Sequence, residues 1–329
     1  MNRIELTKYI NNKIKNKNFL VKEIKGDASK RKYFRVKSKK HSYIVMDSFL
    51  EKRNFNNFLK YTKLFKNNNI KVPEIISIDN SKKILILEDF GNNLIYDKVN
   101  ENNLLDIYTI AIKNIIDIQK IRNKNISYYK KQKYFNESFL FIDWVLDKFF
   151  LLKISKKDNK KLIKSLDFLI DNINHNYNKL THRDYHSKNI FYKNKNVAII
   201  DYQDALYGSP LYDFVSLVND CYRDINQNTK NKFFKIFLSE LNNNNNFNFS
   251  EDEFLYNFNL ISAQRHMKAS GIFCRLSIRN NRDNYLQHLN RTLNYIVKAT
   301  SYYDNLHIIN FFANEAINTL NESYYSGSR

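Results

Sequence analysis

Glycine and proline are scarce in this chain of 329 residues, which contains five glycines and two prolines. Flexible linkers and low-complexity modules are rich in these residues, so their scarcity argues against both. Hydrophobic residues make up 43% of the chain, with 23 tyrosines and 25 phenylalanines among the aromatic residues. This length and composition are typical of one two-lobed domain or two small domains with a sizeable core.

Cysteine and long apolar runs are also rare. Cys221 and Cys274 lie far apart and show no metal-ligand spacing, so we expect buried free thiols in a reducing compartment. The N-terminus lacks the apolar core of a signal peptide. The most apolar stretch, residues 139–152, is too short to span a bilayer and is interrupted by charged residues. We therefore predict a cytoplasmic protein with no membrane partner.

Acidic residues are too few to balance the basic ones, and the formal net charge is +21. An excess of this kind is compatible with nucleic-acid binding. However, lysine is spread along the whole chain together with asparagine, isoleucine, phenylalanine and tyrosine, all encoded by A- and T-rich codons. We find no compact basic block with interleaved aromatic residues, and we predict no nucleic-acid partner.

The most informative stretch covers residues 181–204. His182-Arg183-Asp184 is followed by Asn189 and, after two short apolar runs, by Asp201. The polar residues between the apolar runs are rich in asparagine, which favours turns, so we predict a hairpin. This hairpin would bring Asp184, Asn189 and Asp201 around one point, at the ends of paired strands.

These three side chains suit phosphoryl transfer. Asp184 can orient a nucleophilic hydroxyl and accept its proton, while Asn189 and Asp201 offer the hard oxygen ligands that Mg²⁺ prefers. The arrangement resembles the catalytic loop and metal aspartate of the protein-kinase-like superfamily. His186 stands where protein kinases usually have lysine, which favours the small-molecule branch. It could contact the transferred phosphate or pack within the loop, and the motif leaves both readings open.

The first part of the chain predicts a nucleotide-binding lobe. A short leading helix over residues 4–17 and strands over 21–24, 32–36 and 42–46 precede a helix over 54–66. The turn that contains Ser29 could bind a phosphate of ATP through its backbone and hydroxyl, or be an ordinary hairpin turn. Met46-Asp47 occupies the place of the usual strand lysine, and the helix lacks glutamate. Candidate replacement cations, between which the sequence does not choose, are Arg31, Lys32 and Arg35.

The next strands, which begin near residues 72 and 83, lead to Glu88-Asp89-Phe90. An apolar strand that ends in an acidic pair is typical of the inter-lobe hinge, where the backbone would bind adenine. From residue 101 the apolar spacing is helical. Ser209 and Pro210 predict the start of a helix, and Asp213 is interpreted as structural, bonding back to the catalytic loop. We predict an α+β, protein-kinase-like fold with a small antiparallel-sheet lobe (1–90) and a large helical lobe (91–329).

Several motifs together resemble the bacterial anomeric N-acetylmuramate/N-acetylglucosamine kinases within the aminoglycoside-phosphotransferase-like family. They occur in the expected order over about residues 20–280, and include residues 26–35, 44–47, 87–91, 182–189, 200–208, 217–222 and 264–273. The Met-Asp pair in place of the strand lysine belongs to this group as well. Asn219 stands where the group would have arginine, which puts a substrate contact there in doubt.

The resemblance implies transfer of the ATP γ-phosphate to the anomeric hydroxyl of N-acetylmuramate, N-acetylglucosamine or both, in cell-wall sugar recycling. The product would pass to a sugar-1-phosphate nucleotidyltransferase. Asp204 would face the sugar, and Arg265, His266 and Lys268 would close the acceptor pocket, where a cation suits a lactyl carboxylate. The alternative is that the three form a supporting helix face, since their spacing places Arg265 and Lys268 on one side regardless.

Two other functions remain open. The acceptor could be an aminoglycoside, choline or another small alcohol, although acidic residues that would bind a polycation are sparse in the helical half. A catalytically silent basic binding protein would explain the missing lysine. The presence of Asp184, Asn189 and Asp201 opposes that hypothesis, since a silent protein has no need of them.

Overall fold

The computed structural model describes residues 3–14, 19–24, 31–173, 178–245 and 247–326. The chain forms two compact units. The sheet unit contains residues 1–99 and 189–204, and the helical unit contains residues 100–188 and 205–329. The predicted division at residue 90 therefore differs from the structure: the first unit continues to Val99 and takes in a later segment.

The sheet unit is built on a five-stranded antiparallel sheet with the order β1-β2-β3-β5-β4. The predicted leading helix, strands and second helix are all present, although β4 begins at Ile75, after the predicted position. Their bounds are α1 Arg3–Ile14, β1 Leu20–Ile24, β2 Lys32–Lys37, β3 Ser42–Asp47, α2 Lys52–Asn67, β4 Ile75–Asp79, β5 Ile84–Glu88 and the short α3 Ile95–Lys98.

One face of this sheet is covered by the leading helix. Phe34 and Val36 alternate with more exposed residues along β2, which is the period-2 pattern of a strand with one buried face. They pack with Leu6, Tyr9 and Ile10 of α1 in a single buried cluster. Burial of this apolar surface holds the strands in register, because a one-residue slip would turn the cluster out to water.

The predicted hairpin is present as β7 (Ile190–Lys193) and β8 (Asn196–Ile199). Asn194 and Lys195 form its two-residue turn with φ of 54° and 58°, as the right-handed twist of the flanking strands favours. The hairpin is tied to the first hundred residues by two backbone hydrogen bonds, Tyr192 N–H to Asn93 O (2.7 Å) and Ile199 N–H to Lys71 O (3.0 Å). These bonds explain why residues 189–204 belong to the sheet unit.

The helical unit contains the predicted helices from residue 101 onward. Its longest helix begins with a capping box in which Ser250 and Glu253 satisfy each other's backbone N–H groups. The bounds are α4 Leu104–Lys120, α5 Lys131–Leu140, α6 Lys156–Asn172, α7 Tyr212–Val218, α8 Gln227–Asn245, α9 Glu251–Asn280, α10 Leu289–Thr300 and α11 His307–Ser326.

Three details of the helical unit depart from the sequence-based predictions. Residues Phe141–Phe149 form a π-helix that continues α5. Two three-residue strands, β6 (Lys179–Thr181) and β9 (Leu206–Gly208), pair with each other. In the sequence, β6 precedes the hairpin and β9 follows it. The predicted helix start at Ser209-Pro210 is wrong by two residues: a turn closed by Tyr212 N–H and Ser209 O precedes α7, whose N-cap residue is Leu211.

Both cysteines are buried free thiols, as predicted. Within the part of the chain that the structure describes, no helix is long and apolar enough to cross a membrane.

Candidate active site

The His-Arg-Asp loop of the helical unit is held at both ends by buried carboxylates. Asp213, in the first turn of α7, accepts the backbone N–H groups of His182 (2.7 Å) and Arg183 (2.9 Å). Asp220 accepts the N–H of Ser187 at 2.9 Å. The predicted structural role of Asp213 is therefore confirmed, and the loop between these bonds has little freedom to move.

Arg183 has an unusual backbone conformation, with φ of 77°. A left-handed conformation costs free energy in a residue other than glycine and persists where the surroundings determine it. Its backbone bonds Asp213, while its guanidinium lies 2.5 Å from Glu137 Oε1 and 4.6 Å from the centroid of the Tyr129 ring. Both the side chain and the main chain of Arg183 are therefore fixed, which sets the direction of the next residue, Asp184.

Asp184 is the most accessible carboxylate of this loop, with 38% of its side chain exposed. Lys268 Nζ, in α9, lies 3.4 Å from Asp184 Oδ1 and 3.9 Å from Glu137 Oε2. Burial would raise the pKa of Asp184, but Lys268 and then Arg183 outweigh it and hold that pKa well below its usual range. Asp184 is consequently a carboxylate at neutral pH, able to accept a hydrogen bond from a hydroxyl.

A close approach of two helices brings Glu137 to Lys268. Gly271 of α9 packs against Leu140 of α5, and a Cβ placed on Gly271 would lie 2.5 Å from the Cβ and the carbonyl oxygen of Leu140. Only a residue without a side chain allows this contact. Gly271 lies one helical turn after Lys268, so the contact sets the position of the lysine relative to α5.

The two histidines of the predicted site are buried and their pKa values are lowered. For His186 the main cause of the lowered pKa is burial. Its ring meets the ring of Tyr222 edge-on, with 5.0 Å between the two centroids. Burial, followed by the charge of Arg265, lowers the pKa of His266 to about 3. Its ring nitrogens lie 2.6 Å from Ser262 O and 2.8 Å from Asn219 O. This placement argues against the predicted substrate contact of His266.

Arg265, on the same helix, is also deeply buried. Its Nη1 lies 3.6 Å from Cys221 Sγ, and its charge acts on both Asp184 and His186. Arg265 therefore contributes a fixed positive charge to the surroundings of the catalytic loop.

In the sheet unit, the hairpin brings the two predicted metal ligands together. Ile200, between the end of β8 and Asp201, donates its N–H to Asn189 O at 3.0 Å. Tyr202 anchors the next position, because its hydroxyl lies 2.7 Å from Thr62 Oγ1 of α2. Asp201 itself has φ of 64°. One amide oxygen and one carboxylate fit Mg²⁺, which takes its remaining ligands from water and phosphate oxygens.

Arg31 is a buried cation of the sheet unit, with 6% of its side chain exposed. Its Nη2 lies 3.3 Å from Asp201 Oδ1 and its Nε lies 3.4 Å from Glu51 Oε2. Burial alone would lower the pKa of Arg31, but Tyr33, Asp201 and Glu51 raise it. Glu51 is the N-cap residue of α2, one position before the helix in which sequence reasoning found no glutamate. The chain thus has an arginine–glutamate pair beside Asp201, a predicted metal ligand.

The other predicted phosphate-binding residues have different surroundings. Arg35 Nε lies 2.9 Å from Asp89 Oδ2, and its Nη2 donates to Gly91 O at 2.9 Å, so it fixes the segment after β5. Lys32 is exposed. Ser29 lies outside the described residues.

The residues predicted to bind adenine and to face the sugar lie in the sheet unit. Glu88 ends β5 and pairs with Lys71, while Phe90 packs against Phe191 of the hairpin. Asp204, the predicted sugar-side carboxylate, is exposed.

Solved structures of small-molecule kinases share this fold. Choline kinase LicA from Streptococcus pneumoniae aligns with a TM-score of 0.64 over 89% of this chain and 99% of that one, at 13% identity. ADP-bound aminoglycoside phosphotransferase APH(2'')-Ib aligns with a TM-score of 0.60 over 91% and 99%, at 15% identity. The fold is therefore protein-kinase-like, with a small antiparallel-sheet lobe and a mainly helical lobe, as predicted.

A model described as the phosphotransferase enzyme family matches residues 20–235, more than half of the sequence. The chain belongs to this phosphotransferase enzyme family, whose members transfer a phosphoryl group to a hydroxyl acceptor.

Curated relatives cover most of the chain. N-acetylmuramate/N-acetylglucosamine kinase of Pseudomonas aeruginosa is 26% identical over 287 residues, which cover 84% of this chain and 82% of that protein. The enzyme of the same name from Neisseria meningitidis is 26% identical over 297 residues, with coverage of 85% and 86%. The predicted resemblance to this group is confirmed.

Proposed function

We propose that this phosphotransferase is an ATP-dependent sugar kinase that phosphorylates the anomeric hydroxyl of N-acetylmuramate, N-acetylglucosamine or both. The names of the curated relatives support the acceptor. ADP in the related aminoglycoside phosphotransferase supports an adenine nucleotide as the donor.

The observation that carries the proposal is the placement of Asp184. Lys268, 3.4 Å away, helps to lower the pKa of its carboxyl, and the carboxylate is accessible within a loop held by Asp213 and Asp220. In the proposed reaction, Asp184 orients the sugar hydroxyl and accepts its proton as the new oxygen–phosphorus bond forms. The bond from the γ-phosphorus to the bridging oxygen breaks, and ADP leaves.

Asn189 and Asp201 would hold Mg²⁺, which would neutralise charge on the phosphates of ATP when bound. Among the three candidate cations for those phosphates we assign Arg31, because it is buried and lies beside Asp201 and Glu51. Arg35 is already engaged with Asp89, and exposed Lys32 has no comparable support.

On the acceptor side we assign Lys268, with Arg265 as a second fixed positive charge. The side chain of Lys268 is 12% exposed and lies next to Asp184. A carboxylate on the acceptor would therefore pair with the ammonium group of Lys268. We retain Asp204 as a sugar-side candidate because it is exposed. For His186 we propose a packing role, since its ring is buried against Tyr222. The product, an anomeric sugar phosphate, is the class of compound that a nucleotidyltransferase consumes in the cytoplasm.

The proposal is tested by measuring ADP release with purified protein, ATP and Mg²⁺ against a panel of acceptors. We expect turnover with the two N-acetylated sugars and none with choline or kanamycin. Asp184→Asn should lower kcat by at least about 10³-fold, because loss of general-base catalysis and hydroxyl orientation removes several kcal/mol of transition-state stabilisation.

The matched control is Asp167→Asn, an exposed carboxylate of α6. It should leave turnover unchanged, and circular dichroism should show that both variants are folded. Turnover retained by Asp184→Asn would mean that another group is the base. Turnover confined to choline or kanamycin would keep the kinase and reject the sugar.

A further inference from the structure

A cavity of about 480 Å³ opens in the helical unit where α8, α9 and α10 meet. Cavities of this size are typical of small-molecule sites. Among the described residues that line it, none is assigned above to the base, the metal or the acceptor. The residues that the argument uses are Asn219, Lys230, Ser262, Tyr295, Tyr302 and Tyr303.

The inner end of the cavity is polar and carries a buried ammonium group. Lys230, in α8, is 7% exposed. Its Nζ donates to Asn219 Oδ1 at 2.7 Å and to the Tyr295 hydroxyl at 3.3 Å, and lies 4.5 Å from the centroid of the Tyr295 ring. Asn219 is fixed in turn, since its Nδ2 donates to Ser262 Oγ at 3.1 Å. Both hydrogen-bond acceptors of Lys230 are neutral.

The electrostatic surroundings of Lys230 favour an anion. Burial, followed by the positive charges of Lys298 and Arg291, lowers its pKa to about 8, and Asp224 opposes this only in part. A buried cation with neutral partners is costly unless a counter-charge joins it. An oxyanion in the cavity would supply that charge and stabilise the ammonium form.

The outer part of the cavity is aromatic. The side chain of Tyr302 is 70% exposed, and its ring meets the ring of Tyr303 edge-on with 6.5 Å between centroids. Tyr256 also meets the ring of Tyr303 edge-on, with 5.5 Å between centroids. Tyrosine rings offer a large apolar surface that binds planar or ring-shaped bodies.

We propose that this cavity is a second small-molecule site, which binds an organic oxyanion with a ring-sized body. The carboxylate or phosphate group contacts Lys230 and Asn219 at the inner end. The ring lies against Tyr302 and Tyr303 at the mouth. This site is independent of the proposed sugar kinase activity, because its lining and its ligand chemistry are separate from those of Asp184.

The test uses the full chain and isothermal titration with phenyl phosphate and with benzoate, which share the oxyanion and the ring. Inorganic phosphate and benzyl alcohol, each of which has one of the two features, should bind more weakly. Lys230→Met should weaken phenyl phosphate binding at least about tenfold, since a charge-assisted hydrogen bond is lost. Lys232→Met, an exposed lysine of the same helix, is the matched control and should bind normally.

A second variant tests the same site in case Lys230→Met does not fold. Tyr302→Ala changes an exposed side chain and should weaken phenyl phosphate binding about threefold to tenfold, because one stacking surface is lost. Benzoate and phenyl phosphate should compete if they share the site. Equal affinity in the wild type, Lys230→Met and Tyr302→Ala would overturn the proposal, as would the absence of binding by either probe up to about 10 mM.

Discussion

We propose that Arg31 and Glu51 take the place of the lysine and glutamate that a kinase-like chain usually has on its third strand and following helix. Arg31 approaches both Glu51 and Asp201 within 3.4 Å. We predict that Arg31→Gln weakens Mg²⁺-AMP-PNP binding about tenfold, equivalent to ~1.4 kcal/mol, while the KM for the sugar changes little. Isothermal titration with the nucleotide measures the effect directly, independently of turnover.

Lys32→Gln is the matched control because Lys32 is the next residue and is exposed. Its nucleotide affinity should stay close to that of the wild type. A larger loss of affinity in Lys32→Gln or Arg35→Gln than in Arg31→Gln would contradict the assignment of Arg31.

Lys268 lowers the pKa of Asp184, and this gives a pH prediction. Burial favours the protonated carboxyl, and Lys268 is the largest of the charges that oppose it. Lys268→Met should therefore raise the pKa of Asp184, so that protonation at mildly acidic pH removes the base. We expect kcat/KM of the variant to fall more steeply than that of the wild type as the pH is lowered from about 8 to about 5.

Lys232→Met again provides a matched lysine-to-methionine control, and its pH profile should coincide with that of the wild type. Profiles of the wild type and Lys268→Met that differ only by a constant factor would contradict the electrostatic role of Lys268. In that case, the remaining role for Lys268 would be a contact with the acceptor.

The residues that sequence reasoning missed are carboxylates with distant partners. Glu51 meets Arg31 across a strand pair, and Glu137 meets Arg183, which lies 46 residues away in sequence. Each is a single acidic residue at the start of a helix or within one. An acidic residue in such a place is usually exposed to water, so the sequence gives no sign of a buried ion pair. Asp184, by contrast, was predictable because it belongs to a recognisable motif, His-Arg-Asp followed by Asn189 and Asp201, whereas Glu51 and Glu137 belong to none.

Gly271 controls how closely α9 packs against α5. A methyl group there would overlap Leu140, including its backbone oxygen, so one of the helices must shift. We predict that Gly271→Ala lowers the free energy of unfolding by about 1–3 kcal/mol and also lowers kcat, since Lys268 moves relative to Glu137. Urea denaturation and steady-state kinetics measure the two effects.

Ile278→Ala, at an exposed position of the same helix, is the control and should change the stability by less than about 0.5 kcal/mol. A Gly271→Ala protein with wild-type stability and kcat would show that the helix contact does not position the lysine.

Elements with a strong local signal were predictable, and elements defined by tertiary contacts were not. The β7–β8 hairpin has apolar runs on both sides of an asparagine-rich turn, and it forms as predicted. The π-helix Phe141–Phe149 shares its apolar pattern with an ordinary helix, so the sequence does not distinguish the two. Strands β6 and β9 contain three residues each, and their pairing depends on partners far apart in the chain.

At the scale of the whole molecule, the order of elements predicted the fold class, and the comparisons confirm it. The boundary between the units was harder to predict because the chain returns to the sheet unit for residues 189–204. No change in composition marks this return, which shows in tertiary contacts such as the backbone hydrogen bonds of Tyr192 and Ile199 and the packing of Phe90 on Phe191.

We propose that the chain transfers a phosphoryl group from ATP to the anomeric hydroxyl of an N-acetylated sugar. ³¹P NMR of the protein with ATP, Mg²⁺ and N-acetylmuramate, repeated with N-acetylglucosamine, would detect both products of this reaction. We expect a new anomeric sugar-phosphate resonance to grow as ADP appears, and Asp184→Asn to abolish both signals. Intact ATP with both sugars, in a sample that consumes ATP with another alcohol, would contradict the claim.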